Sequence, residues 1–311
     1  MADQKKTDKS VMVYQANPLI EARRDFSTME MRLFYIGLKD LKPQLTNKNI
    51  PWENMTYRDF PVTVIPPKDL IEMFGNRKYY SALYDVCESL AKKTVEAKNE
   101  FGRFDWFTVF SRLSYRPEEG LILKFNPDMI PWLLELADRT FTKIPFEIVW
   151  QLESKYAVRL LELLLQYQNT KTHERTMTVE DLRFCLNVAD NDYKNRMDNF
   201  TKFVLDKPIK EINEKTAYKV EYEKIKDGRK IVGFKFKLHL PAELKREKQK
   251  KKVQEVTDII AGLAEGKAMT GNNTSSDSQK KRPMPDFMTD KNGNKIEYEQ
   301  PIRVKNGKVV G

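Results

Sequence analysis

The chain has 311 residues, enough for about two domains, and 40% of them are hydrophobic, enough to bury a core. Charged residues make up 32%, the net charge is +10 and the pI is about 9.2, a balance that favours a polyanionic partner. No run of about 18 apolar residues is present, MADQKKTDKS has no apolar stretch behind its charges, and the two cysteines lie far apart. This excludes a membrane-spanning helix, a signal peptide and a disulfide framework, and a reducing cytoplasm is expected.

The positive charge is unevenly placed. Residues 1–155 hold 23 Lys and Arg against 22 Asp and Glu, a net of +1. Residues 156–240 hold 17 against 13 and residues 241–311 hold 15 against 10, nets of +4 and +5. Contact with nucleic acid is therefore expected to be strongest in the C-terminal half.

In chain order, VMVYQAN (11–17) reads as a short strand ended by Pro18. Ser27-Thr-Met-Glu30 is a capping box, and Met31, Phe34, Tyr35, Leu38 and Leu41 follow at helical spacing, with Pro43 as the stop. DFPVTVIP (59–66) reads as a strand. PPKDLIEMFG (66–75) reads as a short helix with Pro at its start and Gly at its end. Tyr79 to Ala97 reads as a longer helix, followed by two β-rich runs around Pro117-Glu-Glu-Gly120. MIPWLLELA (129–137) reads as a further helix, and Phe146–Leu152 as an apolar connector.

The same order then returns. Ser154–Gln168 reads as a helix whose apolar side, with Tyr156, Leu160, Leu161 and Leu164, is scaffold; Arg159 is expected to pair with an acidic neighbour. MTVEDLRFCLNV follows with Thr178 as N-cap, and Cys185, like Cys87, reads as a buried small hydrophobe. Tyr193–Asn213 reads as mostly helical, with a new turn at Pro208. AYKVEYEKIKDGRKIVGFKFKLHLP then shows two alternating strands around Asp227-Gly228. This is a topological duplication of a helix–helix–helix–hairpin unit. The fold class is α+β: two tandem winged-helix domains followed by a charged, partly disordered tail. The tail holds a basic helix, a polar linker (TGNNTSSDSQKKRP) and a segment that either pairs through Asn292-Gly293 or stays loose.

Catalytic patterns are missing. His173 and His239 are isolated, no Cys/His cluster or G-x-S-x-G exists, and Gly262-Leu-Ala-Glu-Gly266-Lys267-Ala268 lacks the hydroxyl and spacing of a phosphate loop. No enzyme, cofactor or metal is expected, although 13 tyrosines leave a strand-nicking nucleophile as a reading to be tested. DNA binding fits better. Tyr193, Met197, Phe200 and Val204 share one face of a helix, and Lys194, Asn195, Arg196, Asn199 and Lys202 lie on the other side. Arg bonds guanine bidentately and Asn bonds adenine, so such a face suits the major groove. Lys224, Lys226, Arg229 and Lys230 cluster at the hairpin turn, as in a wing lying along phosphates. Asn76, Arg77, Lys78 and Ser81 form a weaker version in the first unit, whose near-zero charge also suits a protein–protein surface.

From about Met12 to Leu240 the chain resembles the replication initiator (Rep) proteins of theta-replicating, iteron-containing plasmids. The most specific stretches are LESKYAVRLLELLLQYQ, MTVEDLRFCLNV and DYKNRMDNFTKFVLDKPIKEINEKTAYKVEYEKIKDGRKIVGFKF; Ser27–Leu33 is less so. The resemblance implies an N-terminal winged-helix domain (1–145) for dimerisation and auxiliary DNA contacts. A C-terminal one (146–241) would be the main origin reader, and the tail (242–311) is not covered. It further implies binding to repeated double-stranded origin sites as a monomer in equilibrium with a homodimer. Autorepression as a dimer and recruitment of a host initiator and helicase are also implied, without membrane association. A winged-helix transcriptional regulator with no replication role would show the same DNA chemistry.

Overall fold

The computed structural model describes residues 11–48, 61–75, 79–98, 104–129, 133, 141–193, 196–242, 244, 246, 303–305 and 308–310. The expected helix over 129–137, most of the basic helix after Pro241 and the Asn292-Gly293 turn lie largely or wholly outside these residues. Those up to Arg246 belong to one compact unit; the second unit contributes an antiparallel pair, Arg303–Lys305 with Lys308–Val310.

The first element is strand β1 (Met12–Ala16), paired antiparallel with β8 (Phe141–Pro145), a strand the residue pattern does not reveal. Helix α1 (Asn17–Glu21) carries Pro18 in its first turn, and β2 (Arg23–Arg24) follows. Helix α2 (Thr28–Lys48) opens with the predicted capping box: Glu30 N donates to Ser27 Oγ at 3.3 Å, and Ser27 N donates to Glu30 Oε2 at 2.6 Å. Contrary to expectation, α2 continues through Pro43 to Lys48. A proline inside a helix removes one backbone donor, and a long helix can tolerate that loss.

Strand β3 (Val62–Ile65) and helices α3 (Pro67–Phe74) and α4 (Tyr79–Ala91) come next. α4 stops at Ala91, six residues short of the predicted end. Beyond it, β4 (Thr94–Lys98) pairs with β5 (Phe104–Thr108), and the buried Val95 takes a sheet position. Sheet pairing on both sides, with the adjacent β5 and with the distant β2, outweighs the local helical signal. β6 (Phe110–Arg116) and β7 (Gly120–Phe125) form the predicted hairpin across residues 117–119.

The second half repeats the plan. A short α5 (Ile148–Gln151) leads to α6 (Lys155–Leu165), capped by Ser154, whose Oγ accepts from Ala157 N at 3.4 Å. β9 (Glu174–Thr178), missed in the sequence, runs into α7 (Val179–Cys185), where Thr178 Oγ1 accepts from Asp181 N at 3.0 Å. A helical run then passes through α8 (Met197–Phe200), a wider π-helical stretch (Thr201–Asp206) and α9 (Lys207–Lys215). Pro208 cannot donate to the preceding turn and its ring crowds the carbonyl four residues back, so a local widening there has a physical cause. The hairpin β10 (Lys219–Asp227) and β11 (Lys230–His239) closes the unit. Cys185 is buried and Cys87 half-buried; burial raises both thiols, Cys87 to about 11.

The duplication is legible in the sheets. The strand preceding the helix pair joins the last strand of the hairpin in both halves, giving orders β3-β7-β6 and β9-β11-β10. A glycine sits opposite each strand-to-helix junction. A Cβ on Gly120 would lie 2.0 Å from the Ile65 carbonyl oxygen, and one on Gly233 would lie 2.7 Å from that of Met177. The residues that follow, Pro66 and Thr178, occupy the N-cap positions of α3 and α7, and the Thr178 side chain accepts a capping hydrogen bond.

A buried polar knot ties the halves together. Glu162, on α6, accepts from Arg24 Nη2 at 2.7 Å and Tyr35 Oη at 2.6 Å, and pairs closely with Arg159. Gln15 Nε2 donates at 3.4 Å to Oε1, the oxygen that also accepts from Tyr35, while both arginines meet Oε2. Arg159 also donates to the carbonyls of Ile20, Ala22 and Cys185 at 2.7–2.9 Å. Arg159 is therefore inside the protein, paired with an acid as expected. Burial alone would raise the Glu162 carboxyl, but the charges of Arg24 and Arg159 and the Tyr35 hydrogen bond outweigh it and hold it below the usual range. Burial, then repulsion from Arg159, lowers Arg24 to about 10.

Candidate nucleic-acid interface

The expected reading helix begins later than its residue pattern implies. Tyr193 lies in a turn with φ of 56°, and the first helical residue is Met197. The pattern misleads because the Tyr193 ring still packs on the helix, 6.4 Å from Phe200 and stacked 6.2 Å from Phe203. Phe200, Val204 and Leu205 are buried, as a single core-facing side requires.

Three fastenings position the run. Arg183, at the end of α7, donates to the carbonyls of Ala189, Asp190 and Asp192 and so organises the connecting turn. The Tyr222 hydroxyl, on β10, donates to Asp206 at 2.6 Å. The Glu211 carboxylate, on α9, accepts from the backbone of Glu153 and Ser154 at 2.6 and 3.2 Å, at the start of α6, where the exposed amides favour an anion.

The solvent side of this run carries Arg196 and Lys202, both exposed, and Asn199, half-buried. Arg196 occupies the N-cap position of α8, with no side-chain cap hydrogen bond. Lys194 and Asn195 lie outside the described residues. Phe203, which the sequence reading left out of the face, is 37% exposed within it.

The hairpin turn sits at Gly228-Arg229, between the paired Asp227 and Lys230, with Gly228 at φ 57° as a two-residue loop requires at its first position. Lys224, Lys226, Arg229 and Lys230 are all exposed, and among the described residues no ion pair joins any of them to a carboxylate. The β11 lysine nearer the sheet interior, Lys235, is bridged to Glu174 at 3.1 Å. The tip cations are thus available to an external anion, whereas Lys235 is internally paired.

The first unit differs. Ser81 is exposed on α4, whereas Asn76, Arg77 and Lys78 lie outside the described residues. The exposed side of α4 carries Tyr80 and Tyr84, each 58% exposed, with Asp85 and Glu88. Its hairpin tip holds Glu118 and Glu119, the latter bridged to Arg116 at 2.8 Å. An acidic tip does not suit a phosphate backbone, which agrees with the near-zero charge of this half. Among the described residues, no group of three or more His, Cys, Asp or Glu could hold a metal ion, and no helix is long and apolar enough to cross a membrane.

The repeated strand–helix–helix–hairpin units, the second with a polar helix face and a cationic hairpin turn, define a tandem winged-helix protein. Family models described as "Initiator Replication protein, WH1" and "Initiator Rep protein, WH2" match residues 12–165 and 178–238. The chain belongs to the initiator Rep protein family. It is 28% identical over 223 residues to a replication initiation protein of Escherichia coli, a match covering 69% of this chain and 66% of that relative. Its fold is similar to that of the Pi initiator protein, solved in complex with iteron DNA, with a TM-score of 0.57 and 20% identity over 76% of this chain and 100% of that one.

Proposed function

We propose that this chain initiates plasmid replication by binding directly repeated duplex sites, the iterons, in its origin. The observation that supports this reading is a solvent-side Arg196–Asn199–Lys202 face in the same unit as a hairpin turn with four exposed cations that no carboxylate pairs with among the described residues. Arg196 and Asn199, with Lys194, Asn195 and Lys202, meet base edges in the major groove. Lys224, Lys226, Arg229 and Lys230 lie along phosphates, fix register and release counterions. The first unit adds contacts through Asn76, Arg77, Lys78 and Ser81, together with dimerisation. In this reading the chain divides at residues 145/146 and 241/242, works in the cytoplasm, equilibrates between monomer and homodimer, recruits host initiator and helicase, and represses its own promoter as a dimer. Binding free energy rather than bond cleavage drives origin opening.

Footprinting on the DNA flanking its own gene tests this. Protection recurring about every 20–22 base pairs, roughly two helical turns, is the expected result. A single protected promoter site, with an origin that replicates without this gene, would replace the initiator by a transcriptional regulator. Protein-linked nicks in supercoiled origin DNA with magnesium would replace it by a nicking enzyme.

A further inference from the structure

We propose that Phe203 reads thymine in the bound repeat, through apolar contact between its ring and the C5-methyl group in the major groove. The inference rests on the DNA-reading role given above to this helix.

A single exposed apolar residue is ordinary on a protein surface. Phe203 is distinguished by where it stands and by how it is held. It lies four residues beyond Asn199 and seven beyond Arg196, on the same outward side of the run, while Phe200, Val204 and Leu205 face the core. It is therefore an apolar element inside a row of otherwise polar candidate base contacts. Its ring stacks on Tyr193 with an interplanar angle of 19°, and the ammonium groups of Lys207 and Lys202 sit 4.5 and 5.6 Å from its centroid. These neighbours restrict the side chain before any ligand arrives, so little rotamer freedom is left to lose on binding. The π-helical stretch that contains Phe203 and the Tyr222–Asp206 hydrogen bond fix the backbone beneath it.

The major-groove edge of thymine is the complementary surface. It alone among the four bases carries a methyl group there, and a phenylalanine ring is among the apolar partners that recognise it. The two lysines flanking the ring add favourable charge beside an O4 acceptor or a nearby phosphate. A cytosine at the same position would leave the ring facing an amino donor and no methyl.

The test uses the full chain and the repeat duplex found by footprinting, with each thymine replaced in turn by deoxyuridine, which removes only the methyl. The wild-type protein should lose about fourfold in affinity at one or two positions, the amount expected for one buried carbon. Phe203→Ala should bind the all-thymine repeat correspondingly more weakly and show no further loss at those positions, while responding normally elsewhere. Phe203→Leu, which keeps an apolar contact and packs more conservatively, should retain part of the methyl sensitivity. If no deoxyuridine weakens the wild-type protein, or if Phe203→Ala and wild type respond alike at every position, the inference is overturned. In either case the reading of the helix as the base reader survives, provided the protein still prefers its repeat over a scrambled duplex. Loss of that preference in the wild-type protein would overturn both.

Discussion

Glu162 sets one carboxylate against two guanidiniums that water does not reach. Removing one member of a buried charge arrangement leaves the others uncompensated, which costs far more than an exposed ion pair contributes. Glu162→Gln preserves shape and should lower unfolding stability by about 3–5 kcal/mol in a urea titration. A loss under 1 kcal/mol would mean that the arginines find other partners. Arg196 makes the opposite kind of prediction, because it is exposed and, among the described residues, no ion pair holds its side chain. Arg196→Ala should leave stability unchanged, weaken binding to the cognate repeat by about 1–3 kcal/mol and relax the preference at one base. Equal loss on cognate and random DNA would remove it from the reading face. The sequence led to the expectation that Arg159 pairs with an acid, and an acid three residues on is a local signal. It could not show that Arg24 and Tyr35 come to the same carboxylate, because that meeting is made by tertiary packing across more than 120 positions.

At the level of elements, the two winged units share a constraint that residue patterns hide. Gly120, at φ 101°, has no room for a side chain against the Ile65 carbonyl. Gly120→Ala should destabilise by at least about 1–3 kcal/mol from backbone strain alone. Gly233→Ala, whose φ is not positive and whose contact is looser, should cost less; thermal melts of both variants check the order. The basic hairpin predicts a different observable. Lys230→Ala should weaken all duplexes alike and reduce the slope of log affinity against log salt by about one. A sequence-dependent loss would place Lys230 at a base edge. Hairpins and caps were readable because turn glycines and capping hydroxyls act within a few residues. Strands β2, β8 and β9 lack a local signal because each is short and held by a partner far along the chain, and β4 continues a helical residue pattern although it pairs with both the adjacent β5 and the distant β2. The late start of the proposed reading helix is hidden because a ring packed against a helix leaves the same spacing as a ring within it.

For the molecule as a whole, acid should be the weak flank. The Glu162 carboxyl is held below its ordinary value of 4.5, and Asp25, beside Lys155, lies below 3.8 although burial opposes it. A lowered carboxyl contributes stability that is complete above its unfolded value and disappears as pH falls through the folded one. Unfolding free energy should therefore be level near neutrality and decline below about pH 4.5. The decline should be shallower in Glu162→Gln, as chemical denaturation across the range would show; identical slopes would exonerate the knot. The fold class followed from the order of elements and survives at this scale even where individual boundaries moved, since a helix pair and a hairpin have few ways to pack.

The knot beneath α6 has one more effect, on how such chains can be rebuilt. Its ligands come from both sides of residue 145, so a graft that exchanges one half for that of a relative imports half a lock. Chimaeras should work only when the residues at positions 15, 24, 35, 159 and 162 travel as a set. Recombination would then trade exposed surface residues readily and the buried contacts between the halves hardly at all.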